Sequence, residues 1–225
     1  MSKVFIIAMG MMVATICQGA GAKLNIGETN TVIFASHFEQ GLKGRWQQVT
    51  FFGLKPTAYA VVADGTNFCL RASATNSDSA LMAKVNLKPS PHLRVSWRWK
   101  IDRTPPGASD RTLRDYDHAA RVIIAFDTFI GTPRSIDYFW ANSEPVGTAM
   151  SHPLSGRTQM LAVESGNARA GEWIAEERDV TADWQRLFPG RTMPKIEAIG
   201  VMTDSDSTHG LVSASYENIK LDVVK

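Results

Sequence analysis

Apolar and polar side chains alternate with a period of two along much of the chain, which is typical of half-buried β-strands. The clearest case is residues 95–101, where valine, two tryptophans and isoleucine alternate with serine, arginine and lysine. Residues 122–126 and 136–140 repeat the alternation. Further short runs that predict strands are residues 32–34, 49–52, 59–62, 67–71, 161–163, 196–202 and 212–216. Many short strands of this kind predict an all-β fold.

Turn-forming residues separate these runs. Glycine and proline turns lie at residues 64–65, 88–91, 104–107, 131–133 and 189–190. We therefore predict a two-sheet antiparallel β-sandwich.

One short helix is predicted near residues 181–188. Thr181 can cap it, and Trp184, Leu187 and Phe188 then share one face before Pro189. No linker or shift in composition divides the rest of the chain, so we predict a single domain over residues 23–225.

The first 22 residues have the pattern of a secretory signal peptide. Lys3 precedes the apolar residues 4–16, a run too short to span a bilayer, and small residues follow at 20–22. We predict cleavage after Ala22 and a protein that is exported, either periplasmic or secreted. No second apolar run approaches the ~20 residues of a membrane-spanning helix, so no membrane span is predicted.

Charge and cysteine content exclude several classes of protein. Lys and Arg number 24 against 22 Asp and Glu, a net charge of +2 with the signs interspersed, so no nucleic-acid partner is predicted. Of the two cysteines, Cys17 lies in the predicted signal peptide, where the bulky Ile16 disfavours lipidation. Cys69 then stands alone, and no intramolecular disulfide can form.

Several blocks of sequence resemble a bacterial family of uncharacterised exported proteins, DUF3047. The blocks include Trp97-Arg98-Trp99-Lys100 and the residues that begin with Asp117-His118. The others lie at residues 136–140, 164–166, 177–180, 202–208 and 216–219, and their order and spacing agree over roughly residues 34–221. This resemblance implies a fold and a compartment but no particular activity.

The two ends of the chain resemble galactose-binding and carbohydrate-binding jelly rolls. Phe38-Glu39 with Trp46, and Tyr216-Glu217-Asn218-Ile219, occupy places where such modules carry an early Phe-Glu and a late aromatic-acidic pair on adjoining strands. The resemblance implies a carbohydrate or other cell-envelope ligand. It also makes Glu39 and Glu217 candidate ligands of a metal ion that ties the terminal strands together.

A second candidate metal site is Asp204-x-Asp206-x-Thr208, which places three oxygen side chains at alternate positions. Calcium prefers such oxygens. An EF-hand is rejected because His209 stands in place of the turn glycine and Ser215 in place of the bidentate glutamate. The alternative is a turn whose side chains bond the backbone. We expect no cofactor, with calcium as the possible exception.

Polar residues at the start of the strand 121–126 form a candidate ligand site. Arg121 would face away from the apolar positions of that strand, where it can clamp a carboxylate or phosphate, or pair structurally with Asp117 or Asp137. His118 can act as a general base or serve the structure. Arg98 is a further candidate ligand contact, while Trp97 and Trp99 are expected in the core.

Three classes of function remain after common catalytic motifs are found absent. The sequence has no Gly-x-Ser-x-Gly, His-Glu-x-x-His, phosphate loop or dinucleotide fingerprint. The first hypothesis is a non-catalytic module that binds a glycan or envelope component. The alternative is a hydrolase or lyase acting on a polar polymer or ester through Asp117, His118, Asp204 and Asp206; a structural role in an envelope complex is a third. Whether the protein is an enzyme stays open. We predict that Arg121, Asp204 and Asp206 share one surface region with Asp117 and His118 at its rim.

Overall fold

Two β-sheets packed face to face make up the protein. The computed structural model describes residues 30–127 and 133–224; the predicted signal peptide lies outside them. The strands in chain order are β1 (Thr31–Ser36), β2 (Trp46–Thr50), β3 (Ala58–Asp64), β4 (Asn67–Thr75), β5 (Ser79–Leu87), β6 (Leu93–Ile101), β7 (Arg121–Phe126), β8 (Arg134–Ala141), β9 (Ala149–His152), β10 (Ser155–Ser165), β11 (Ile174–Asp179), β12 (Ile196–Met202) and β13 (Leu211–Val223).

The strands divide into a six-stranded sheet A and a seven-stranded sheet B. Sheet A has the order β11-β6-β13-β4-β3, with β1 also paired to β13, and sheet B has the order β2-β5-β12-β7-β8-β10-β9. The pairs are antiparallel except for β8 and β10, which run parallel. The predicted all-β sandwich is confirmed. Among the described strands, only the pair β8 and β10 differs from the predicted antiparallel arrangement.

The core lies between the sheets and is rich in aromatic rings. Alternate residues of β6, from Leu93 to Ile101, are fully buried, and the rings of Trp97 and Tyr138 lie 5.5 Å apart between their centroids. Trp99 packs in the same way against Trp140 at 5.7 Å. The predicted strand and the placement of both tryptophans in the core are confirmed.

The predicted short helix is present as α1 (Val180–Leu187), but its cap differs from the prediction. Asp179 accepts a hydrogen bond from the backbone N–H of Ala182 at 2.9 Å, and Thr181 instead donates its hydroxyl to the carbonyl of Ser90. A 3₁₀ turn covers Leu113–Asp115. Within the described part of the chain, no helix is long and apolar enough to cross a membrane.

The outer face of sheet B, which points away from the core, carries the polar residues of interest. Arg121 of β7 pairs in register with Met202 of β12, and Met202 pairs with Ala80 of β5. Two residues further along β7, Ile123 pairs with Asp137 of β8 on one side and with Gly200 of β12 on the other.

Candidate functional site

A cleft of about 660 Å³ lies over the outer face of sheet B; we call it the outer cleft. Its floor includes Arg121, Ile123 and Met202 from the central strands. Its walls include exposed apolar side chains from three separate loops: Phe51 and Leu54 after β2, Leu113 of the 3₁₀ turn, and Leu154 between β9 and β10. The cleft therefore combines an apolar wall with a polar floor.

The polar floor is organised around an ion pair between Arg121 and Asp204. The guanidinium Nη2 lies 2.5 Å from Asp204 Oδ1, and each side chain is 3% exposed. The backbone N–H of His118 also donates to Asp204 Oδ1, at 3.3 Å. The structural partner of Arg121 is thus Asp204, which follows β12, and not Asp117 or Asp137, the two partners considered from the sequence.

Three acidic side chains meet beside this ion pair. One carboxylate oxygen from each of Asp78, Asp204 and Asp206 lies within 4.8 Å of the others. Burial, followed by the charge of Asp204, raises the pKa of Asp78 to about 8. Burial also raises the pKa of Asp206, and it raises that of Asp204 against the opposing effect of Arg121. The structure brings Arg121, Asp204 and Asp206 together, and it adds Asp78, which was not predicted from the sequence.

Asp137 is a fourth carboxylate of the outer cleft. It is 4% exposed, and within the described residues its Oδ1 has no hydrogen-bond partner. Burial raises the pKa of Asp137, and the nearby guanidinium of Arg121 opposes the rise. A buried carboxylate oxygen without a donor is costly, so this position favours a ligand that supplies positive charge or a hydrogen-bond donor.

Asp117 lies fully buried beneath the outer cleft and shapes the loop that carries Asp206. Its carboxylate accepts hydrogen bonds from the backbone N–H groups of Ser207, at 3.1 Å, and Thr208, at 2.6 Å. The Thr208 hydroxyl donates to it as well, at 2.6 Å. Asp117 was expected at the rim of the site. Its carboxylate is instead engaged by hydrogen bonds from the loop, so it acts as a positioning residue. Thr208 therefore bonds Asp117, although the sequence had grouped it with Asp204 and Asp206.

His118 is also fully buried and was likewise expected at the rim. Its Nε2 lies 3.2 Å from Asp110 Oδ1, and its ring packs edge-on against Tyr116 and Phe139. Burial alone would raise the pKa of Asp110, but His118 and backbone N–H groups, including that of Asn142, lower it. His118 is thus held in a structural network rather than presented to the cleft.

Tyr116 and His152 form a wall of the outer cleft that sequence reasoning missed. Their ring centroids lie 4.8 Å apart. Burial, with the positive charge of Arg121 as the next cause, lowers the pKa of His152 to about 4. The imidazole is therefore neutral at pH 7 and adds no positive charge to the site.

A model of the DUF3047 family, described as a protein of unknown function, matches residues 44–220 of the chain. The protein belongs to the DUF3047 family. The predicted resemblance is therefore confirmed. A search of curated proteins gave no match to this DUF3047 protein.

Solved structures similar to this DUF3047 protein include carbohydrate-binding modules. The family 11 module of the cellulosomal cellulase Lic26A-Cel5E of Clostridium thermocellum has 12% identity and a TM-score of 0.50, with 88% of this chain and 96% of that chain covered. The CBM22-1 xylan-binding domain of Paenibacillus barcinonensis Xyn10C has 10% identity and a TM-score of 0.47, with 88% and 98% covered. The likeness to the family 11 module shows the sandwich fold that the sequence predicted.

The remaining predicted site residues of the DUF3047 protein lie away from the outer cleft. Arg98 and Glu217 are neighbours on sheet A, where the guanidinium forms an ion pair with the largely buried carboxylate. Glu39 is exposed in the loop after β1, two residues from His37, which contacts Asn218 at 2.8 Å. The pairing of β1 with β13 brings residues 31–36 alongside residues 219–223, and a metal ion at Glu39 and Glu217 stays a prediction.

The charges around the outer cleft indicate which ligands it suits. Four carboxyl groups line it, and the charge of Arg121 is already paired with one of them. An anionic ligand would meet the remaining carboxylates, so a clamp for a carboxylate or phosphate, considered from the sequence, is disfavoured. The arrangement suits hydroxyl groups or a cation.

Proposed function

We propose that this DUF3047 protein is a non-catalytic binding module that holds a carbohydrate segment in the outer cleft. The observation that carries the proposal is the combination of an apolar wall with unsatisfied acceptors on a buried floor. Sugars present C–H surfaces and hydroxyl donors on the same molecule. Phe51 and Leu113 can contact the former, and Asp137 and Asp206 can accept from the latter.

The size of the outer cleft supports this proposal. Its volume of about 660 Å³ falls within the range of roughly 300–1,000 Å³ that is usual for small-molecule sites. The fold shared with the family 11 carbohydrate-binding module is compatible with the same conclusion, although the likeness concerns the fold.

Binding is favoured over hydrolysis because two of the four residues assigned to catalysis cannot reach a substrate. Asp117 and His118 are fully buried, and neither lines the outer cleft. A general base must come within hydrogen-bond reach of the proton that it removes. The hydrolase or lyase alternative would therefore have to use the carboxyl groups of the cleft alone.

A glycan array followed by calorimetry tests the proposal. We expect Phe51→Ala to weaken binding of the glycan identified on the array by about tenfold, because it removes apolar contact from the wall. Phe68→Ala is the matched control, since Phe68 is similarly exposed on β4 of sheet A. An array without any glycan signal, or equal losses for both variants, would overturn the proposal. Release of new reducing ends from the bound glycan would favour the hydrolase instead.

We further propose that the ligand is a glycan of the cell envelope, because the predicted signal peptide would export the protein. N-terminal sequencing of the exported protein should begin at Lys23. An exported chain that keeps Met1 would contradict cleavage after Ala22 and remove the reason for placing the ligand outside the cytoplasm.

A further inference from the structure

The carboxylates of Asp78, Asp204 and Asp206 converge at one corner of the outer cleft. Their nearest oxygens lie within 4.8 Å of one another. Two oxygens bound to one calcium ion at 2.3–2.6 Å are at most about 5 Å apart. Even three oxygens that are all 4.8 Å apart lie only about 2.8 Å from their common centre, so small side-chain movements bring the three carboxylates onto a single ion.

The surroundings of this corner indicate that positive charge is missing. Asp137 lines the same cleft at 4% exposure, and among the described residues its Oδ1 has no hydrogen-bond partner. Asp78 Oδ1 is buried and equally without a partner. The lining thus contains four carboxyl groups, of which Arg121 pairs with one, and a bound divalent cation would favour the ionised form of the others.

We propose that Asp78, Asp204 and Asp206 bind one calcium ion whose open coordination positions receive hydroxyl oxygens of the carbohydrate. This inference rests on the proposed function. Calcium takes six to eight oxygen ligands. Three carboxylates cannot supply all of them, since Arg121 and His118 both engage Oδ1 of Asp204. All three carboxylates line the cleft, so a ligand in the cleft can reach the remaining positions.

Hydrogen bonds and an ion pair from buried residues fix the position of this corner of the outer cleft. Asp117 fixes the backbone of Ser207 and Thr208, immediately after Asp206. Asp204 is held by Arg121 and by the backbone of His118. Two of the three proposed ligands therefore have fixed positions, which reduces the entropy cost of binding an ion.

Calcium titration of the purified chain by calorimetry, after treatment with a chelator, tests the site. We expect one calcium ion per chain, and at least tenfold weaker binding by Asp206→Asn and by Asp78→Asn. Asp102→Asn is the matched control, since Asp102 is a half-exposed carboxylate directly after β6 of sheet A. A circular dichroism spectrum of each variant verifies folding, and the partly exposed Asp206 offers the lower risk of misfolding. No calcium binding, or equal binding by all variants, overturns the site.

Glycan binding with calcium, with magnesium and with a chelator tests the bridging role. We expect the chelator to abolish binding, and magnesium not to restore it because of its stricter octahedral geometry. Glycan binding that persists in the chelator overturns the calcium bridge and leaves the proposed function intact. Calcium binding without any glycan signal overturns the proposed function and leaves the ion site intact.

Discussion

Arg121→Met tests the buried ion pair on which the polar floor depends. The guanidinium and the Asp204 carboxylate are each 3% exposed, so the substitution leaves a buried carboxylate without its counter-charge. Asp206, whose nearest carboxylate oxygen lies within 4.8 Å of one of Asp204, makes this loss more severe because it is also acidic. Methionine keeps most of the volume of the side chain, which limits the effect of an empty cavity.

The magnitude follows from the burial of the pair. Removing one partner of a buried ion pair costs about 3–5 kcal/mol. For a domain of this size, 1 kcal/mol lowers the melting temperature by about 2–4 °C, so we expect a fall of roughly 6–20 °C. Adding Asp204→Asn to Arg121→Met should recover at least half of the loss, because the uncompensated charge is then gone.

Thermal and urea melts of the single and double variants give the comparison. The control is Arg71→Met, because Arg71 pairs with Asp102 on sheet A while the two side chains are 30% and 50% exposed. That substitution should cost about 0–1 kcal/mol. If Arg121→Met costs no more than Arg71→Met, then the guanidinium is not a buried structural partner and the reasoning is refuted.

Three further variants address the core, the pH dependence and the loop. Trp97→Ala should lower the free energy of unfolding by about 3–5 kcal/mol in urea melts, because a buried ring packed on Tyr138 is lost; an unchanged midpoint would remove Trp97 from the core. Burial, and then Glu164, raises the pKa of Glu176 to about 7. Its contribution to stability is full below its ordinary pKa of about 4.5 and declines as the pH rises through 7. Glu176→Gln should therefore raise the free energy of unfolding by roughly 1 kcal/mol over wild type at pH 8 and leave it unchanged at pH 4. Solvent screening of this partly exposed side chain limits the gain. Parallel pH profiles of the melting temperature for the two proteins would contradict this prediction. Asp117→Ala should lower the free energy of unfolding by about 1–3 kcal/mol in thermal melts and weaken calcium binding, because the loop carrying Asp206 loses three hydrogen bonds. A calcium affinity equal to that of wild type would show that the loop keeps its shape without Asp117.

Strand prediction succeeded where one face of a strand is apolar and the other polar. The run that became β6 has buried residues at every second position, and the geometry of a strand makes that period visible in the sequence. β5 (Ser79–Leu87) was not predicted, because the buried residues of its first half occupy both faces and leave no alternation. The cap of α1 was wrong because Asp179 and Thr181 are both suitable, and the contact of Thr181 with Ser90 decided between them.

The site was predictable to the extent that neighbouring strands carry it. Arg121 begins β7, and Asp204 follows the end of the adjacent β12. Because the two strands are antiparallel, both residues lie at the same end of the strand pair. Asp78 was not predicted, because it joins them through the pairing of β5 with β12, which no spacing in the sequence reveals. Arg98 was correctly assigned to the polar face of its strand. The alternation of apolar and polar residues cannot show which of the two sheets contains that strand, so the sequence could not separate Arg98 from the residues of the outer cleft.

The position of β13 has a consequence for how the chain folds during synthesis. β13 lies between β6 and β4 and also pairs with β1, although residues 211–223 follow all three of these strands in the chain. Until the ribosome has made β13, sheet A consists of two separate pairs, β3 with β4 and β6 with β11, and β1 lacks its partner strand. Contacts between residues so distant in sequence form slowly, and open strand edges invite pairing with other chains. Sheet A of the nascent protein therefore remains incompletely paired until residues 211–223 have been made.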